Sequence, residues 1–144
     1  MESLHYLLMK AHTLMNRQIV GGAAALGLSS GQPKVLEYLL MYGESNQKTI
    51  ADYCEIEQAT VGSILLRMEE NGLILREKKA GNRRSLYVTL TEKGRKAAEE
   101  MELVFRESEE HVGGGLSEEE RLQLRQLLDR LCESAGQRER RREA

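Results

Sequence analysis

The hydrophobic period of this chain changes at Leu73, and that change limits the folds open to it. Upstream, Val61, Ile64, Leu65 and Met68 recur at helical spacing as far as Asn71-Gly72, a pair suited to ending a helix because glycine takes the left-handed conformation a C-terminus needs. Downstream, Leu73, Ile74 and Leu75 begin a strand, AGNRR marks a turn, and Leu86, Val88 and Leu90 alternate with Tyr87 and Thr89 on a returning strand. Before this comes a short helix over residues 47 to 54, with Ile50 and Ala51 inward, Ser45 or Asn46 as its cap, and a brief turn at residues 55 to 57. Two helices joined by so short a turn form a helix-turn-helix, and the alternating strands form a two-stranded wing.

The flanks are helical. Leu4, Leu7, Leu8, Ala11, Leu14, Met15 and Ile19 make residues 3 to 19 an amphipathic helix, and GGAAALGL then loosens the pattern. Ser29 with Gln32 has the spacing of a capping box, Pro33 suits a first turn, and Val35, Leu36, Leu39 and Leu40 continue a second helix to Gly43. Thr91 caps a fifth helix carrying Ala97, Ala98, Met101, Val104 and Phe105. The Gly113-Gly114-Gly115 run breaks it, and Ser117 with Glu120 caps a sixth helix carrying Leu124, Leu127, Leu128 and Leu131. The expected architecture is mostly α with a small β-hairpin wing. A winged helix-turn-helix at residues 29–96 follows an N-terminal helix and connection at 1–28, helices at 97–136 come after it, and the tail QRERRREA leaves 137–144 disordered.

Charge decides what such a fold is for. The chain is mildly acidic, with a net charge of -2. Yet Arg76, Lys78, Lys79, Arg83, Arg84, Lys93, Arg95 and Lys96 face only Glu77 and Glu92 between residues 72 and 96, whereas glutamates dominate beyond Ala97. The local field attracts phosphate whatever the total. A helix over residues 58 to 71 fits a major groove, and with its core face assigned, Gln58, Thr60, Ser63 and Arg67 are the outward side chains able to bond base edges or phosphates. Ala59 and Gly62 would let the helix backbone come close to DNA, and Leu66 stands on the same outward side without an assigned role. Arg76, Lys78, Asn82, Arg83 and Arg84 belong to the wing, whose tip can enter the electronegative minor groove beside that helix.

Other classes find little support. No nucleophile-base arrangement, phosphate loop or paired carboxylates in a pocket are evident, so catalysis and cofactors are not expected. His5, His12 and His111 have no metal-ligand spacing, and Cys54 and Cys132 belong to no CxxC pair and read as small buried hydrophobes. The longest apolar run, IVGGAAALGL, is too short for a bilayer, and charged and polar residues interrupt any leader-like stretch, so the cytoplasm is the expected compartment. A winged helix that serves as a protein-interaction module without touching DNA is the alternative reading.

From Ser29 to Lys96 the sequence resembles the MarR family of bacterial winged-helix transcription regulators, through SSGQPKVLEYL, LRMEENGLILRE and NRRSLYVTLTEKG in their order and spacing. The resemblance implies a homodimer in which the first, fifth and sixth helices of two subunits intertwine, with Leu4, Leu7, Leu8, Ala11, Val104, Phe105, Leu124, Leu127, Leu128 and Leu131 as contacts. The size of those apolar stripes agrees, since one small winged domain cannot cover them. It also implies a palindromic operator, repression, and a small organic effector held between the dimerisation helices and the winged domain, where Tyr6, His12, Tyr38 and Tyr42 would line a cleft. Metal- and redox-sensing variants exist in the family, but the histidine pattern and first-helix thiol they use are missing from this sequence. The wing departs from the family pattern at Asn82, where an acidic residue ordinarily precedes the arginines.

Overall fold

The structure, a computed structural model, describes residues 1–79 and 81–143 and, for residues 82–85, the backbone alone. The order of elements is α1 (Leu4–Ala25), α2 (Gln32–Tyr42), β1 (Ser45–Asn46), α3 (Gln47–Cys54), α4 (Gln58–Glu70), β2 (Ile74–Lys79), β3 (Asn82–Leu90), α5 (Glu92–Val112) and α6 (Glu118–Glu143). Two compact units are formed, Met1–Ser108 and Glu109–Ala144.

In the first unit, α2, α3 and α4 pack around the fully buried Val35, Leu36, Ile50, Val61, Leu65 and Met68, and the sheet and α5 close this core with Ile74, Val88 and Met101. Asn46 caps α3, its Oδ1 accepting the Thr49 amide at 2.8 Å. Glu55 takes the left-handed conformation, φ 55°, to turn the chain into α4.

The sheet is antiparallel in the order β1-β3-β2. The wing strands pair from Ile74 opposite Leu90 to Lys78 opposite Leu86, after which the register shifts and Lys79 lies opposite Asn82. A third strand joins the expected hairpin: Ser45 and Asn46 pair with Val88 and Tyr87 and tie the wing's inner end to the α2–α3 connection.

Several expectations need correction. The first helix does not end near residue 19; α1 runs through Gly21 and Gly22 to Ala25. Gly22 meets the side chain of Val104 on α5, so its missing side chain gives α5 room rather than ending α1. The capping box before α2 is half made: Gln32 Oε1 accepts the Ser29 amide at 3.3 Å, while Gly31 holds the N-cap position with no side-chain cap.

In the second unit, Ser117 and Glu120 form the full reciprocal box of α6, at 2.9 Å and 3.1 Å. Helix α6 continues to Glu143, so residues 137–143 are helical rather than frayed. Arginine, glutamine and glutamate are good helix formers, and no proline interrupts them. Cys132 is exposed on α6, against the expectation that both cysteines are buried; Cys54 is buried.

Candidate nucleic-acid interface

Helix α4 divides cleanly into two faces. Val61, Leu65 and Met68 are fully buried, while Gln58, Thr60, Ser63 and Arg67 are exposed. The inward stripe fixes the helix against α2 and α3, so the outward side chains are presented by a rigid element rather than a loop. Gln47 of α3 donates from Nε2 to the Gln58 carbonyl at 3.3 Å, and the same amide lies 3.1 Å from where a Cβ on Gly62 would stand. The small residue at 62 thus leaves room for the Gln47 side chain at the α3–α4 contact. Leu66 is 47% exposed.

Thr60, Ser63 and Arg67 share a concavity of about 190 Å³ with Ser29, Ser30, Gln32 and Ile64. Ser29 and Ser30 were not singled out from the sequence as surface residues of this face. The only sequence signal they carried was the helix start that SSGQP marks. Ser63 Oγ also bonds the Ala59 carbonyl at 3.4 Å, which turns its hydroxyl along the helix.

The wing's basic residues have different fates. Lys78 is exposed. Arg76 is turned inward: its Nη2 donates to Glu69 Oε1 on α4 at 3.3 Å, and its Nε is buried with no partner among the described residues. Lys79 Nζ donates to Glu44 Oε1 at 2.6 Å and stands 4.7 Å above the Tyr87 ring; that hydrogen bond to Glu44 raises its pKa above the ordinary lysine value. Asn82, Arg83 and Arg84 lie on the described backbone of β3, but their side chains fall outside the described residues.

The junction of α4 and the wing is held from α5. Thr91 Oγ1 donates to the Gly72 carbonyl at 2.6 Å and accepts the Gly94 amide at 3.0 Å, and Lys93 Nζ bonds the Asn71 carbonyl at 2.7 Å. A helix with a polar outer face, a strand ribbon directly after it, and a fixed turn between them is a winged helix-turn-helix.

The MarR family's sequence profile matches residues 28–86. The HTH-type transcriptional repressor Rv2887 of Mycobacterium tuberculosis is 23% identical over 128 residues, covering 89% of this chain and 92% of that protein. MepR of S. aureus, solved as a DNA complex, superimposes with a TM-score of 0.82 at 26% identity over 94% of this chain and 99% of its own. BpsR of Bordetella bronchiseptica, whose DNA binding is regulated by 6-hydroxynicotinic acid, gives a TM-score of 0.82 at 27% identity over 91% and 99% of the two chains.

The segment that carries the helix-turn-helix and most of the wing is thus MarR-like. The matched segment holds α2, α3, α4, β2 and the first part of β3, the elements that form the helix-turn-helix and wing here.

Of the four residues expected to line an effector cleft, two meet. Tyr38 and Tyr42 have ring centroids 5.1 Å apart, and Tyr53 of α3 completes the group at 4.9 Å from Tyr38 and 5.5 Å from Tyr42. Tyr38 is buried, its hydroxyl 2.8 Å from Ser45 Oγ. Burial, with Glu37 beside it, raises the Tyr53 phenol above its ordinary pKa. Tyr6 and His12 are exposed on α1 and make none of these ring contacts.

Among the residues expected at a subunit contact, Leu4, Leu7, Leu8 and Ala11 on α1 are exposed, as are Leu124, Leu127 and Leu131 on α6, and Leu128 is half-buried. Val104 and Phe105 are half-buried and pack against the core of their own subunit. Among the described residues no group of three or more His, Cys, Asp and Glu side chains converges as a metal site, and no helix is long and apolar enough to cross a membrane. Burial raises the Cys54 thiol above its ordinary pKa.

Proposed function

We propose that this protein is a sequence-specific, double-stranded-DNA-binding transcription regulator, a cytoplasmic repressor that acts as a homodimer on a palindromic operator and is released by a small organic effector. It carries out no catalysis; the regulators it resembles are named for transcriptional control.

The observation that carries this reading is the two-faced α4, buried on Val61, Leu65 and Met68 and open on Gln58, Thr60, Ser63 and Arg67, with a ribbon beginning at Ile74 immediately behind it. A helix seated on one side and polar on the other can enter a major groove with its polar side leading. The ribbon then reaches the adjoining minor groove, with Lys78, Asn82, Arg83 and Arg84 as its contacts.

Dimerisation follows from surface that one subunit leaves uncovered. Leu4 is 64% exposed, Leu7 42%, Leu127 58% and Leu131 40%. Leucines at helical spacing lose free energy in water, about 25 cal/mol for each Å² left open, and a second copy is the partner that removes them. A two-fold dimer presents two copies of α4 to half-sites about one helical turn apart. For release, a ligand must bind the DNA-competent and DNA-incompetent forms unequally. The tyrosine group of Tyr38, Tyr42 and Tyr53 supplies aromatic and hydroxyl contacts suited to a small aromatic acid, the chemistry that regulates BpsR.

The direct experiment is an anisotropy titration against duplex from upstream of the protein's own gene, with wild type and with Arg83→Glu/Arg84→Glu. Salt-sensitive binding by wild type that the double reversal abolishes supports the reading; no wild-type binding at low salt refutes it.

A further inference from the structure

We infer that Glu69 and Arg76 are positioning residues for DNA recognition: their ion pair sets the angle between α4 and the wing, so that both engage one duplex together. This rests on the DNA-binding reading above.

Glu69 lies in the last turn of α4, on the element that presents Arg67, and Arg76 lies on β2, opposite Val88 of the central strand. Their side chains meet at 3.3 Å with 15% of Arg76 and 36% of Glu69 exposed. The guanidinium is thus mostly out of water, and among the described residues its Nε has no partner. A guanidinium so placed depends on the carboxylate beside it.

The turn between the two elements is already secured. Leu73 donates its amide to the Met68 carbonyl at 2.9 Å, Thr91 holds the Gly72 carbonyl, and Lys93 holds the Asn71 carbonyl. Those bonds all lie at the apex and fix a hinge point. They do not fix the opening angle of its arms. Glu69 stands at the helix side of that apex, its carbonyl accepting the Gly72 amide at 3.0 Å, and Arg76 lies out along β2, where a bond back to the helix acts as a cross-strut. A two-stranded ribbon is weak by itself, so its direction is set by what it leans on. The Lys79–Glu44 pair and strand β1 hold other points of the ribbon, to the α2–β1 connection and not to the recognition helix.

The consequence for binding is one of effective concentration. If the strut holds, α4 docking places the wing at its groove, and a wing contact adds its full worth; if the strut is lost, the wing must search, and the same contact adds less. A purely structural role for the pair would lower stability without changing how much a wing contact contributes.

The test measures the affinity of the full-length protein for duplex from upstream of its own gene, in wild type, Glu69→Gln and Arg76→Gln, each with and without Arg84→Ala. Arg84→Ala is expected to weaken wild-type binding about tenfold and the Glu69→Gln background only about twofold, with Arg76→Gln like Glu69→Gln. Equal losses in all backgrounds, with wild-type binding intact, overturn the strut. No wild-type binding overturns the DNA-binding reading and the strut's role with it. If Arg76→Gln does not fold, Glu69→Gln, which removes the more exposed partner, decides the matter alone.

Discussion

Gly94, in the first turn of α5, lies directly against the backbone carbonyl of Leu73: a Cβ at position 94 would overlap that oxygen and stand 2.8 Å from the carbonyl carbon. The Leu73 oxygen also accepts the Thr91 amide at 3.1 Å, so it cannot withdraw without breaking the joint between wing and helix. Gly94→Ala should destabilise the fold by about 3 kcal/mol, at the upper end for overpacking. Gly22→Ala, which presses on the Val104 side chain alone, should cost about 1 kcal/mol, because alanine's better helix propensity offsets part of the crowding. Urea denaturation of the two variants checks the order.

The α6 cap should titrate. The Ser117 amide, then its hydroxyl, lower the Glu120 pKa below the ordinary glutamate value. A depressed folded-state pKa means stabilisation present above the unfolded value and lost as pH falls through the folded one. The stability difference between wild type and Glu120→Gln should therefore be open at pH 7 and close as the solution is taken below the ordinary carboxylate range. Denaturation midpoints compared across that range test this, and a difference independent of pH would mean that the carboxylate charge is not what caps the helix.

The helices of the DNA-binding unit were legible because their information is local. Asn46 caps and Ile50 and Ala51 face inward within α3, and the spacing of Val61, Leu65 and Met68 locates α4 to within a residue of its observed limits. What stayed hidden depends on distant partners. Ser45 and Asn46 are a strand only because Val88 and Tyr87 lie beside them, and Gly21 and Gly22 stay helical where Gly22 fits against Val104. The candidate interface divides in the same way. Gln58, Thr60, Ser63 and Arg67 could be taken from helical period alone, whereas Arg76 reads as one more basic wing residue until the fold brings Glu69 against it.

Arg67 is exposed in the concavity shared with Thr60 and Ser63, and the DNA-binding proposal gives it a phosphate or a guanine edge as partner. If Arg67→Ala removes a phosphate contact, the slope of log affinity against log salt should become shallower by about 0.9. An unchanged slope with weakened binding to one sequence only would assign Arg67 to a base instead. Titrations at several salt concentrations on operator and scrambled duplexes separate the two.

The uncovered leucines give a test of assembly. Leu127, 58% exposed on α6, should become buried in the dimer. Leu127→Glu places a charge there and should raise the dimer dissociation constant roughly thirtyfold or more, the equivalent of a hot-spot loss of about 2 kcal/mol. Sedimentation equilibrium reads the change, and a monomeric wild type would remove the basis for a palindromic site.

The central claim is that paired subunits lay α4 and the wing in neighbouring grooves of one duplex, and hydroxyl-radical footprinting on DNA upstream of the protein's own gene tests it most directly. Wild type should protect two half-sites centred about one helical turn apart, each with a flanking minor-groove patch that Arg83→Glu/Arg84→Glu abolishes. A wild-type footprint with a single unpaired half-site, or one whose flanking patches survive the double reversal, would contradict it.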